Sequence, residues 1–445
     1  MKPIAHGVPQ LDGLRFTAAL LVMIAHSTFN AAAIPGPLLN FIWAAAAMGL
    51  GLFFVLSGFV IHYGYHETVT LRGGPALFAI ARFGRLYPLY FLVLVYEVLA
   101  SGRVSALVHG TAPDQAVSLL FAGTLTQSWW YGVLGQNNLI FQWGPSTAAA
   151  WSISIELVMY MLYPALCLAV HRVQSLRGNL LVIAGICLGQ LLCCLLLVRY
   201  EEAILNYYQV VFGSVVKEHS ATARADDFLQ WLESFSFFLR LGQFALGVAL
   251  ANIFIRHRQH RVVVAWMASV RMTPAPVLLA TLAYWVVNSF CIYPLVGPWV
   301  SYHGIANYLG IFSFFGAALI FAVASFPQAP TARFFGSAVM TGAGDATYAT
   351  YLLHVPLLLF VNRNVVGLAI AGAPPREAVL RGLCLLLTYV AIVLVGYGVF
   401  RTVEAPARRW IRQHCTPAVV YGLLALQFAS FVAGVAIVTV IQRAS

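Results

Sequence analysis

Long apolar runs alternate with short polar segments along the whole chain, and this pattern predicts membrane-spanning helices. Each run is about 20 residues long, which is the length a helix needs to cross the hydrocarbon core of a bilayer. We predict an all-α fold, a polytopic membrane helix bundle of about 10–11 transmembrane helices. The candidate spans lie at about residues 13–32, 42–65, 84–100, 150–170, 179–198, 235–255, 275–294, 304–325, 344–368, 379–401 and 417–441.

The composition excludes the common soluble classes. Of the 445 residues, 61% are hydrophobic and only 9% are charged, whereas a soluble domain carries about 25% charged residues. The seven cysteines lie mostly inside apolar runs, so we interpret them as packing residues and not as a disulfide framework.

The net charge of +11 would suggest a nucleic-acid partner in a soluble chain. Here membrane topology explains it better. With the N-terminus in the cytoplasm, most of the 25 Lys and Arg residues fall on the inner side, largely in short loops, as the positive-inside rule requires. We therefore predict a cytoplasmic N-terminus and no nucleic-acid partner.

No repeat or polar linker divides the chain, so we predict one transmembrane domain over residues 1–445. We expect no fused soluble domain and no cleavable signal peptide before the first span. The longest polar stretch, at about 199–234, is predicted to be an extracytoplasmic loop.

Ionisable residues inside the apolar spans are costly and point to function. The first span, LDGLRFTAALLVMIAHS, contains Asp12, Arg15 and His26. At 100° per residue these three side chains share one helix face, and the rise from Arg15 to His26 is about 16 Å. The alternative is a helix-start ion pair between Asp12 and Arg15, with His26 as a packed histidine.

Two further spans carry such groups. Glu156, in WSISIELVMY, lies too deep in its span for an N-terminal cap, so its carboxylate is either neutralised or paired with a cation. His26 is a plausible partner. His354, in ATYATYLLHVP, suits either a packing role or a site.

Arginines also gather where we place the inner membrane surface. In ARFGRLYPLY, Arg82 and Arg85 are one helical turn apart beside Gly84, which we expect to be exposed. Paired guanidinium groups suit a phosphate-bearing ligand, and they suit lipid head groups equally well. Farther along, Glu404 and Arg408 have the spacing of a helical ion pair.

Metal binding has little support in the sequence. His62 and His66 have the i, i+4 spacing of helical ligands, but no third-ligand motif accompanies them. We predict no metal.

The segments already quoted, together with three others, carry a resemblance. The chain is similar, from about residue 11 to 412, to the acyltransferase-3 family of integral membrane O-acyltransferases. The additional segments are GLFFVLSGFVI, the extension WSISIELVMYMLYP, and VEAPARRWI, all in the family's order.

The resemblance implies transfer of an acyl group, usually acetyl, from cytoplasmic acyl-CoA to a hydroxyl, commonly on an extracytoplasmic carbohydrate. It implies a multi-pass protein of the bacterial cytoplasmic (inner) membrane, with membrane lipid, a carbohydrate acceptor and polysaccharide-biosynthesis proteins as partners. Some relatives act on non-carbohydrate small molecules such as macrolides.

The resemblance also implies roles for matched residues. Arg15 and His26 correspond to the functional signature of the family, and Arg82 and Arg85 to its donor-binding arginines. It also marks Ser57, in the SGF segment, and the carboxylate of Glu156. Ser57 is assigned here to the donor site, although its small-residue SGF segment favours helix packing over a chemical role.

These residues predict a mechanism. Attack of a hydroxyl on a thioester needs a general base, for which His26 is suited, and Glu156 would orient its ring. Arg15 would line the route from the donor pocket to His26. We assign contacts with the acceptor substrate to three further residues: Asp12, Trp151 and His354.

Two questions stay open at this stage. Transfer is either direct or relayed through an acyl-enzyme. The rival class is a transporter or flippase for a lipid-linked saccharide, which favours two related halves with broken helices.

Overall fold

The computed structural model of the protein describes residues 7–71, 73–111, 113–134, 137–212, 228, 231–292 and 311–444. Eighteen α-helices dominate these residues. They are α1 (Pro9–Ala25), α2 (Gly36–Thr70), α3 (Gly74–Ala100), α4 (Val104–Val108), α5 (Pro113–Gly123), α6 (Pro145–Ala149), α7 (Trp151–His171), α8 (Leu176–Phe212), α9 (Phe237–Ile255), α10 (His257–Ser269), α11 (Pro274–Val287), α12 (Ile311–Ser325), α13 (Pro330–Phe335), α14 (Ala338–Asp345), α15 (Thr347–Asn364), α16 (Pro375–Val399), α17 (Ala405–His414) and α18 (Pro417–Ala444).

The remaining regular structure is short. Three turns have π-helical geometry, at Trp231–Phe235, Asn288–Ile292 and Phe400–Glu404, and two are 3-10 turns, at Ala31–Ala33 and Leu139–Phe141. A two-stranded antiparallel ladder joins β1 (Val133–Leu134) to β2 (Asn137–Asn138).

The helical fold class is confirmed. Every predicted span contains a helix, although residues 293–294 and 304–310 of two spans lie outside the described residues. Among the described residues, eight helical segments are long and apolar enough to cross a membrane, and the chain is a polytopic helical membrane protein. They are Gly36–Thr70, Gly74–Ala100, Pro145–His171, Leu176–Leu197, Trp231–Ile255, Pro274–Ile292, Pro375–His414 and Pro417–Val440.

The boundaries of the first span were wrong. The helix begins at Pro9, whose fixed φ suits the first helical turn, and Asp12 in that turn complements the helix dipole. It ends at Ala25 and not near residue 32, because the chain turns at His26 and reaches a left-handed backbone conformation at Asn30 (φ 57°). Asn is one of the few residues that adopt this conformation readily.

Part of the stretch at 199–234, which we predict to be an extracytoplasmic loop, is helical. Helix α8 continues to Phe212, with non-helical backbone angles at Tyr200 that kink it. Residues 213–227 and 229–230 of this stretch lie outside the described residues.

The chain divides into two compact units. The first comprises Met1–Glu67, Ala165–Leu192 and Gly242–Phe400, and the second comprises Thr68–Pro164, Cys193–Leu241 and Arg401–Ser445. They are described separately below.

Close backbone contacts between helices hold the first unit together. A Cβ atom at Gly58 of α2 would overlap the carbonyl oxygen of Phe244 in α9, and one at Gly247 would overlap that of Val55. Gly13 of α1 meets the Phe335 carbonyl in the same way. These small residues let helix backbones approach in a membrane, where packing replaces the hydrophobic driving force.

A buried carboxylate organises the second unit. Glu97, near the end of α3, accepts hydrogen bonds from the backbone N–H groups of Ser146 (2.6 Å) and Thr147 (2.9 Å) and from the Thr147 hydroxyl. These N–H groups have no partner within α6, since they lie in its first turn. Glu97 therefore anchors the segment that leads into α7.

Candidate active site

The histidine that we predict to be the general base lies at the end of α1, in the first unit. His26 follows the last helical residue, and its backbone N–H still donates to the Val22 carbonyl (3.1 Å). Most residues of the helix are buried or half-buried, whereas His26 is exposed. The structure thus places this ring at the helix terminus and not on a continuing helical face.

His354 of α15 contacts His26. The two rings approach with Nε2 of His354 3.1 Å from Nδ1 of His26 and their centroids 5.0 Å apart. His354 is 1% exposed. Its Nδ1 is hydrogen-bonded to the backbone carbonyl of Tyr351, one turn earlier in α15.

These contacts assign the proton positions of the neutral pair. A carbonyl oxygen only accepts, so Nδ1 of His354 carries the proton and Nε2 of His354 is the acceptor. The hydrogen at the 3.1 Å contact therefore belongs to Nδ1 of His26. Nε2 of His26 is left with a lone pair, which is the state that a general base requires.

The role of His354 in acceptor binding stays a prediction. Both of its nitrogens are engaged by Tyr351 and His26, so its buried ring contacts the other histidine. Because Nδ1 of His26 is bonded to His354, the ring already has an orienting partner, in the place where we expected Glu156.

Two hydrogen bonds next to the histidine pair fix the end of α1. The hydroxyl of Tyr389 in α16 donates to Oγ of Ser27 (2.8 Å), and the Ser27 hydroxyl donates to the Met23 carbonyl (2.9 Å). This chain of bonds ties the end of α1 to α16.

An apolar cavity opens beside this end of α1. Its volume is about 380 Å³, and Ser27 and Tyr389 are among its polar lining residues. Most of the remaining lining side chains are aliphatic or aromatic, including Ile24, Phe29, Ile34, Leu38, Ile42 and Leu385. Such a cavity favours an apolar group.

At the other end of α1, Asp12 and Arg15 form the expected ion pair. Nη1 of Arg15 lies 2.5 Å from Oδ1 of Asp12. This confirms the helix-start pairing, and the roles of Asp12 in acceptor binding and of Arg15 along the donor route stay predictions.

The second unit contains Arg82, Arg85 and Glu156, which we predict to be site residues. The guanidinium of Arg82 lies over the ring of Tyr160 (5.4 Å to the centroid), and the Tyr160 hydroxyl donates to Oε1 of Glu156. Glu156 is 5% exposed. Tyr160 interacts electrostatically with Glu156, Arg82 and Arg85. A buried carboxylate and two arginines are thus coupled through one tyrosine, and the support of His26 by Glu156 stays a prediction.

Gly84, between the two arginines, is not exposed. It is buried in α3, where a Cβ atom would lie 3.1 Å from the side chain of Ile411 in α17. The residue is small because another helix packs on it. The predicted ion pair of α17 is confirmed, with Nη1 of Arg408 3.3 Å from Oε1 of Glu404.

Trp151 lies inside the second unit. Its ring is 7% exposed and packs edge-on against Phe235 (centroids 5.0 Å apart), and the Arg240 guanidinium lies 5.9 Å from its centroid. Its role in acceptor binding stays a prediction. Ser57 is half-buried beside the tightly packed Gly58, which supports the packing interpretation of the SGF segment.

Sequence reasoning missed two buried charges. Glu97 is 6% exposed, and Arg240 is 0% exposed, with its Nη2 3.3 Å from the Ser234 carbonyl. Both lie inside predicted apolar spans, so the signal was a charged residue in an otherwise apolar run. Among the described residues, no group of three or more His, Cys, Asp or Glu is placed to hold a metal ion.

The chain is a polytopic helical membrane protein with a histidine pair in its first unit, and with two arginines near a buried glutamate in its second. Comparison with known families identifies it further. The model of the acyltransferase-3 family, described as an acyltransferase domain, matches residues 8–401, and the chain belongs to this family.

Several curated proteins are similar to part of the chain. Acyltransferase MdmB of Streptomyces mycarofaciens is 28% identical over 174 residues, which are 37% of this chain and 40% of the relative. Peptidoglycan O-acetyltransferase OatA of Listeria monocytogenes is 28% identical over 167 residues, 36% of this chain and 24% of that protein. Protein 2 in the picA locus of Rhizobium radiobacter is 32% identical over 168 residues, 34% of this chain and 78% of that protein.

The matched region thus spans less than half the length of the first two relatives. No solved structure matches the chain.

Proposed function

We propose that this protein is an O-acyltransferase that moves an acetyl group from cytoplasmic acyl-CoA to a hydroxyl of an extracytoplasmic or lipid-linked carbohydrate. Family membership and the names of two relatives, an acyltransferase and a peptidoglycan O-acetyltransferase, support the reaction class. The observation that carries the proposal is the contact of His26 with His354, which leaves Nε2 of His26 as a base.

The reaction follows from that lone pair. Nε2 of His26 takes the proton of the acceptor hydroxyl as the oxygen attacks the thioester carbonyl, and a C–O bond forms. The tetrahedral intermediate then collapses, the C–S bond breaks, and the proton on His26 passes to the departing thiolate. The products are an ester and CoA with a free thiol.

His354 is the positioning residue for this base. Its Nε2 accepts from Nδ1–H of His26, and this bond strengthens when His26 becomes positively charged. The arrangement is that of a Ser-His-Asp triad with a neutral acceptor in the place of the carboxylate. In this proposal Glu156 serves the donor side, where it holds Tyr160 beside Arg82.

The donor and acceptor sides differ in chemistry. Arg82 and Arg85 suit the phosphates of coenzyme A, because guanidinium groups bind phosphate oxygens with paired donors. The apolar cavity beside Ser27 favours an acceptor with an apolar portion, as a lipid-linked saccharide has. We place the protein in the bacterial inner membrane, with its N-terminus in the cytoplasm.

The experiment uses membranes that contain the protein, radiolabelled acetyl-CoA and a pool of host glycans. We expect the wild type to transfer label to carbohydrate, and His26→Ala to lose about 10²- to 10⁴-fold in rate, the usual contribution of a general base. His109→Ala is the matched control, because this histidine is exposed and bonds only locally, to Ser105.

Equal transfer by His26→Ala and wild type would remove His26 from catalysis. Absence of transfer by a well-inserted wild type would contradict the proposed reaction and direct the next test to flux of a lipid-linked sugar.

A further inference from the structure

A third arginine lies against the pair on α3. Glycine at position 84 allows α17 to approach so closely that a Cβ atom there would lie 3.8 Å from the Cα atom of Arg408. Gly84 lies between Arg82 and Arg85 in the sequence ARFGRL, so the backbone of Arg408 lies beside the segment that carries both. Arg408 also interacts electrostatically with Arg82 and Arg85.

We infer that Arg408 is the third guanidinium of a phosphate-binding site formed with Arg82 and Arg85, and that its ligand is the phosphate-bearing end of the acyl-CoA donor. The inference rests on the proposed function and deepens it by adding a residue from a different helix.

The charge arrangement favours an anionic ligand. Three positive groups close together repel one another, and this repulsion is weakened little where water is scarce. Among these three arginines, Arg408 forms an ion pair with Glu404, whose side chain is 1% exposed. A ligand with several phosphates relieves the repulsion, and arginine binds such groups with two parallel hydrogen bonds.

Glu404 positions this arginine. The two residues are one turn apart, and the 3.3 Å contact involves Nη1 of Arg408. The Arg408 side chain remains 23% exposed, so it is only partly covered by the protein. The buried carboxylate thus holds one edge of the group and leaves access to a ligand from outside.

Phosphate esters also occur in lipid head groups, and the exposed side of α17 suits contact with a membrane surface that carries them. Arg409, Trp410 and Arg412 are exposed there. Arg408 differs from Arg409, its neighbour in sequence, because it is partly buried against Gly84. This contrast assigns Arg408 to the internal site and makes Arg409 a matched control.

The test uses the full chain reconstituted in phosphatidylcholine nanodiscs and direct binding of radiolabelled acetyl-CoA. We expect Arg408→Gln to raise the dissociation constant about 10- to 100-fold, as loss of a charged hydrogen-bond pair does, and Arg409→Gln to change it less than about twofold. Acetylpantetheine, which lacks the phosphates, should bind Arg408→Gln and wild type equally.

Since Arg408→Gln leaves the Glu404 carboxylate buried without this arginine, a second variant guards against misfolding. The double substitution Glu404→Gln with Arg408→Gln removes both charges. It should insert like the wild type and still bind acetyl-CoA 10- to 100-fold more weakly.

The outcomes separate the two proposals. If the wild type binds acetyl-CoA and Arg408→Gln matches Arg409→Gln, the inference is overturned. If Arg408→Gln leaves acetyl-CoA binding in phosphatidylcholine nanodiscs unchanged and alters only the effect of added phosphatidylglycerol on that binding, Arg408 binds lipid. The inference is then also overturned. If the wild type itself binds no acetyl-CoA, the proposed donor is wrong.

Discussion

The contact between His26 and His354 predicts the effect of replacing the buried histidine. Phenylalanine at position 354 keeps an aromatic ring in a site that is 1% exposed but removes the nitrogen that accepts the His26 proton at 3.1 Å. The His26 ring then loses its tautomer preference and the partner of its positive charge.

The magnitude follows from the kind of bond lost. The bond to a charged imidazolium contributes about 1.5–3 kcal/mol, which corresponds to a rate loss of about 10- to 150-fold. His354→Phe should therefore lower kcat by that factor. His354→Gln should recover part of the rate, because its amide oxygen can accept the same hydrogen bond.

The assay is the initial rate of label transfer from acetyl-CoA, with each variant measured at equal membrane content. Combining His354→Phe with His26→Ala should cost no more than His26→Ala alone, because the two residues act as one unit. Additive losses in the double variant, or a glutamine variant as slow as the phenylalanine variant, would refute the positioning role.

Two predictions concern packing. Gly58→Ala should lower the thermal unfolding temperature, because the new methyl group overlaps the carbonyl of Phe244, while Gly64→Ala in the same helix has open space within 4 Å and should leave it unchanged or higher. Equal melting of the two variants would contradict the close approach of α2 and α9. Glu97→Gln should destabilise the protein by about 1–3 kcal/mol in denaturant unfolding, since a buried carboxylate that accepts backbone N–H groups is replaced by an amide. Glu67→Gln, at a side chain that is 88% exposed, is its control, and similar stabilities would show that Glu97 does not anchor α6.

The helices and the short-range ion pairs could be predicted because both depend on local sequence. Apolar runs must form helices in a bilayer, where each backbone polar group needs an internal partner. Likewise, Asp12 with Arg15 and Glu404 with Arg408 are neighbours on any helix, and both pairs are present.

Pairing across the chain could not be predicted. His26 and His354 are 328 positions apart, and nothing in the sequence distinguishes His354 from Glu156 as the partner of His26. The expectation of an exposed Gly84 failed for the same reason, since the helix that covers it comes more than 300 residues later.

The end of the first helix was also beyond sequence reasoning. Residues 26–32, HSTFNAA, contain no proline, glycine or acidic side chain, so no strong stop signal marks Ala25 as the last helical residue. The tertiary contacts of Ser27 with Tyr389 and of Asn30 with the Ala371 carbonyl hold this segment in a turn.

The most direct test of the central claim measures CoA thiol release by the reconstituted protein when the isolated acceptor is added. An O-acyltransferase with His26 as its base should release one thiol per ester formed, and His26→Ala should release thiol and form ester at the same strongly reduced rate. Passage of the acceptor across the vesicle membrane without thiol release, at equal rates in wild type and His26→Ala, would contradict the account.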